Sequence, residues 1–136
     1  LAFLASPTGP LGFFWRPDTS GFPEPQGGQL ALLILLNLAE VLTFGLGVSF
    51  LLFGRPMIQG LLPKAKGLVT ATHLSVAWIL FSWWPHDSLH MAAGSNLNAL
   101  IAIEYGFHIT VMLAGVALAA FFGAILRQST TKAHRS

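Results

Sequence analysis

The chain has 136 residues, of which 54% are hydrophobic and only 9% charged, and its formal net charge is +2. Soluble domains carry about 25% charged residues, so the composition excludes an ordinary water-soluble domain and reads as integral to a membrane. There is no cysteine, which excludes disulfides, iron–sulfur ligation and thiol chemistry, and no basic patch interleaved with aromatics points to nucleic acid.

The opening run Leu1–Ala5 is apolar and halts at Pro7. It reads as the end of a signal sequence or of a fourth helix lying before residue 1. Pro and Gly crowd residues 6–28, which rules out a long helix there. Phe13, Phe14 and Trp15 beside Arg16 suit the headgroup level of a bilayer. Segment 1–28 is therefore expected on the outer side. From 29 to 54 the chain is almost wholly apolar, broken by Asn37, Glu40, Thr43 and Ser49. A span of the hydrocarbon core needs about 20 such residues. Arg55-Pro56 ends this first span, and 55–66 is expected to be a short loop. The second span covers 67–84 and closes on Trp78, Trp83 and Trp84, an interfacial aromatic belt, before Pro85. Loop 85–98, a third span over 99–126 and a basic tail over 127–136 follow. The predicted fold is thus all-α, an integral membrane bundle of three transmembrane helices within 29–126. Loop 55–66 and the tail hold six of the seven Lys and Arg. The positive-inside rule makes both cytoplasmic and puts loop 85–98 outside.

Ionisable groups within a bilayer are costly and turn toward protein. Counting inward from 29, 84 and 99 at ~1.5 Å per residue puts Glu40 and His73 roughly 16 Å deep and His108 roughly 13 Å deep. Glu104 lies one turn above His108 on the same face. Asn37, Glu40, His73, Glu104 and His108 are therefore expected as one intramembrane polar cluster. On the third helix the stripe continues as Met112, Gly115, Ala119 and Gly123, a small-residue surface that lets another helix approach. His73 and His108 on facing helices are candidate ligands for haem b or another transition metal, with a carboxylate orienting an imidazole. The structural alternative is plain interhelical hydrogen bonding, Glu40 with His73 and Glu104 with His108.

Loop 85–98 carries a separate candidate: His86, Asp87, His90 and Met91. His86 and His90 share a face if the loop is helical, and imidazole with carboxylate or thioether suits copper or zinc. Two or three ligands leave the shell incomplete, so a partner chain would have to finish it. Asp87 serves equally well as the cap of a helix starting at Ser88. No phosphate-cradling Gly-rich loop, HExxH or Gly-x-Ser-x-Gly elbow occurs, and no catalytic residue is assigned. The expected role is a small accessory subunit that stabilises other membrane subunits of a larger complex, such as a redox or metal-dependent oxidase or monooxygenase, without catalysis of its own. The alternatives are a metal- or haem-binding redox subunit and a proton or ion pathway around Glu40 and Glu104. The lipid bilayer and other membrane subunits are the expected partners.

Overall fold

The computed structural model describes residues 24–133 together with Leu4 and Pro10, with side chains through Thr130. The expectations for the N-terminal segment and for the end of the tail lie outside the described residues. Among the described residues the structure is all-helical: α1 (Gly28–Phe53), α2 (Arg55–Leu61), α3 (Lys66–Phe81), α4 (Trp83–Ala93) and α5 (Leu97–Ala133). Two of them, α1 and α5, are long and apolar enough to cross a membrane. The apolar α3 is shorter, with 16 residues.

Local chemistry accounts for the departures from the expected boundaries. Pro56 falls in the first turn of α2, where a missing N–H costs nothing, so residues 55–61 form a short helix rather than a loop. Pro85 has no N–H to bond the Phe81 carbonyl, and its ring crowds that oxygen. The helix consequently bends at Ser82 instead of stopping. Ser82 keeps helical torsions (φ −72°, ψ −21°), and its carbonyl still accepts from the His86 N–H at 3.0 Å. Most of the expected loop 85–98 is thus helix. The true turn is Gly94–Asn96: Gly94 takes φ +54°, a conformation open to glycine, and the Asn96 side chain accepts from the Ala99 N–H at 3.1 Å as the cap of α5.

α3 and α4 form the middle of the molecule, with α1 packed on one side and α5 on the other. The α1–α3 crossing is close because residue 47 is glycine: a Cβ there would lie 2.6 Å from the Phe81 backbone nitrogen. At the end away from the Gly94 turn, α2 closes the seam, burying Ile58 and Leu62 with Val69 of α3 and Phe121 of α5. Leucines cover the outer faces of α1, with Leu32, Leu35 and Leu46 all exposed. Polar side chains on the long helices satisfy themselves locally, as an apolar surrounding requires. Asn37 donates to the Leu33 carbonyl (2.9 Å), Ser49 to Gly45 (2.8 Å) and Thr110 to Gly106 (2.8 Å).

Candidate metal centre

The tight turn at Gly94–Asn96 folds α4 back along α5, and the register follows from it. His90 comes opposite Glu104, and His86 one turn further comes opposite His108. The two candidate groups of the sequence, Glu104 with His108 and His86 with His90, are therefore one place in the molecule. Ligand atoms of His86, His90 and Glu104 all lie within 4.8 Å of one another. Around a single ion with bonds of ~2.1 Å, donor atoms sit roughly 3–4 Å apart. The widest separation in the group exceeds that arrangement by about 1–2 Å.

Each side chain is held by a second contact. The His86 ring is 13% exposed and its Nδ1–H donates to Asp87 Oδ1 at 3.0 Å; a carboxylate only accepts, so the proton sits on the ring nitrogen. The same ring stacks on Phe107, with centroids 4.0 Å apart and planes 28° apart. Hydrogen bond and stack together fix the ring and leave Nε2 as the lone-pair nitrogen. That atom is buried and has no hydrogen-bond partner. His90 Nε2 is also buried; it pairs with Glu104 Oε1 at 2.9 Å. Glu104 Oε2 lies 2.9 Å from His108 Nδ1, which also donates to the Glu104 backbone carbonyl at 2.8 Å. The His86 and His108 rings stand 6.2 Å apart, so His108 flanks the group through Glu104.

Beyond Asp87 lies Glu40. Its buried side chain on α1 lies beside the Asp87 carboxyl. Glu40, Asp87 and His86 thus make a chain of contacts running from α1 into the cluster, of the carboxylate–histidine kind that orients ligands in metal sites.

The other expected residues fall elsewhere. His73 is buried, but its Nε2–H donates to the Phe50 carbonyl at 3.0 Å and its ring lies 5.5 Å from that of Phe50. It meets neither Glu40 nor His108, so the His73–His108 pair offered for haem b is not assembled. The depth count took Trp84 as the outer end of the second span, whereas helix continues past the bend at Ser82 to Ala93. Phe50 is ten residues past Glu40, roughly 15 Å further along α1. Asn37 bonds only within its own helix. Met91 follows His90 on α4, and helical geometry turns it about 100° away. Phe107 and the Glu40–Asp87 contact were not expected. The signal for the merged site was present in Gly94 followed by Asn96, a helix stop and a helix cap in succession. Comparison with known protein families, curated proteins and solved structures finds no match to this chain.

Proposed function

We propose that this chain is a multi-pass membrane protein that binds one divalent transition-metal ion through His86, His90 and Glu104, and that it serves as a metal-carrying subunit of a larger membrane complex. The observation that carries the metal reading is the convergence of His86, His90 and Glu104, whose ligand atoms all lie within 4.8 Å of one another, with His86 Nε2 buried and without a hydrogen-bond partner. A buried polar atom without a partner costs about 1–3 kcal/mol. That atom, beside the His90–Glu104 pair, is accounted for by a cation that all three residues bind. Imidazole with one carboxylate, and no thiolate in the chain, suits zinc, iron(II) or copper(II). His108, beside Glu104, is the spare donor.

Three crossings follow if α3 and α4 act as one bent rod. Their 16 and 11 residues, joined through Ser82, would reach roughly 40 Å, enough for a core of ~30 Å. Arg55, Lys64 and Lys66 flank α2, which packs against Phe121, Ala124 and Ile125 of α5. The basic loop and the basic tail thus share an end, and by the positive-inside rule that end is cytoplasmic. The metal site then lies near the outer surface.

The accessory-subunit reading rests on α5. His108 is 59% exposed on a helix apolar enough to span, and a polar ring turned to lipid is costly. Along the same helix Gly115 has open space where a Cβ would be. A neighbouring polypeptide on this face would cover both. The test of the metal reading is a Co²⁺ titration of the purified protein. Visible d–d bands saturating at one ion per chain, and missing from the His86→Ala variant, are expected; a featureless titration counts against it.

A further inference from the structure

One side of α5 carries a regular seam. Tyr105, His108, Met112, Gly115, Ala119 and Phe122 recur at spacings of three, four, three, four and three, the repeat by which two helices pack along each other. All six are exposed, whereas Phe107 and Phe121 turn to α4 and α3. The stripe beside the seam, Ile109, Leu113 and Val116, is exposed and all hydrocarbon, which suits lipid tails. The seam differs in holding an acceptor and a donor. His108 Nδ1 lies 2.8 Å from the Glu104 carbonyl and 2.9 Å from Glu104 Oε2. Both oxygens accept, so in the neutral ring the proton is on Nδ1 and Nε2 is left as an acceptor. Three residues earlier, Tyr105 is 66% exposed, and its O–H has no acceptor among the described residues.

We infer that two copies of this chain pair through this seam of α5, as parallel helices about a two-fold axis along the membrane normal, and that the Tyr105 hydroxyl of each copy donates to His108 Nε2 of the other. The inference rests on the reading above that α5 crosses the membrane with a polypeptide on this face; it does not use the metal. A partner here has to bring a donor to His108 and an acceptor to Tyr105 at nearly one depth. A second copy inserted in the same orientation brings both, twice over, because an isologous interface repeats every contact. Knobs-into-holes packing sets the side chain at the Tyr105 position beside the His108 position of the facing helix. Further down, Gly115 and Ala119 meet their own counterparts, and small residues on both sides let backbones approach closely. Nothing stands within 4 Å of where a Gly115 Cβ would be, so the place of the facing helix is open.

The chain has no cysteine, so a single introduced thiol reports alone. The test oxidises the full chain with diamide in phosphatidylcholine vesicles that contain this protein only. A disulfide needs its two Cα atoms within about 7 Å, so Met112→Cys and Ala119→Cys are expected to form linked dimers about tenfold faster, or more, than Leu113→Cys and Val116→Cys on the neighbouring stripe. All four replace exposed side chains and should fold as the parent does. Tyr105→Phe, which removes only the hydroxyl, and His108→Leu should each weaken dimerisation by roughly three- to tenfold, the usual worth of interhelical hydrogen bonds in a bilayer. The double variant should lose no more than either single one, because the same two bonds are removed. Energy transfer between differently labelled copies reads these affinities. Equal cross-linking on both stripes, or none on either, overturns the second copy. Seam cross-links to a chain of different mass in native membranes, with none in the pure vesicles, overturn it too and leave the covered face standing. Reaction of Met112→Cys with an impermeant thiol reagent refutes the spanning reading itself. A Tyr105→Phe protein that pairs as tightly as the parent overturns the hydrogen-bonded pair.

Discussion

At the scale of single residues, the account turns on which atoms face the ion and which atoms hold them. His86 and His90 present their Nε2 atoms, and Asp87 holds Nδ1 of His86. Replacing a residue that orients a ligand lowers metal affinity by about 10–100-fold. Asp87→Ala is expected to fall in that range and His86→Ala well below it, measured by competition with a chromophoric chelator. Met91→Ala, about 100° around α4 from His90, should leave affinity unchanged. Glu40→Gln should retain most of it, because an amide can donate to the neighbouring Asp87; Glu40→Leu should not. Equal losses for Met91→Ala and Asp87→Ala would contradict the ligand assignment. The chemistry-bearing residues were legible in the sequence, since histidines and carboxylates stand out in so apolar a chain. Their grouping was not, because it depends on where a helix turns back.

At the scale of elements, a glycine and a proline set the geometry. Gly47 lets α1 lie against Phe81, and its neighbouring atom there is backbone nitrogen, which cannot swing aside. Gly47→Leu should therefore push α1 away and lower stability by about 1–3 kcal/mol, the usual cost of overpacking. It should also draw Glu40 off Asp87 and weaken the metal. Gly115→Leu meets open space and should leave the melting temperature of the isolated chain unchanged, while reducing its recovery with partner subunits in native-gel analysis. A Gly47→Leu protein as stable as the parent would show that the α1–α3 crossing is wrong. The extent of α1 was readable from hydropathy alone, within a residue at either end of 29–54. The bent α3–α4 rod was not. Pro85 reads as a stop in sequence, but in the first turn of α4 it bends a helix that otherwise continues. Reading Pro85 as a stop left the helix under His86 and His90 as one option only.

At the scale of the whole molecule, α1 and α5 flank a middle rod, one end is basic, and the other carries the cluster. This arrangement predicts that a cysteine placed at Ser136 is labelled by an impermeant thiol reagent only from the cytoplasmic side, and one at Ser95 only from outside. Labelling of both from the same side would contradict three crossings. Composition alone made the all-helical fold legible, together with two helices long and apolar enough to cross a membrane. The register of the α4–α5 hairpin, fixed by Gly94 and the Asn96 cap, became visible only in three dimensions. The most direct test of the central claim is elemental analysis of the purified full chain beside a His86→Ala/His90→Ala variant, with circular dichroism to verify that both are helical. The account predicts close to one equivalent of a transition metal in the parent after metal loading and dialysis, and almost none in the variant. The same metal content in both proteins, or none in either, would contradict it.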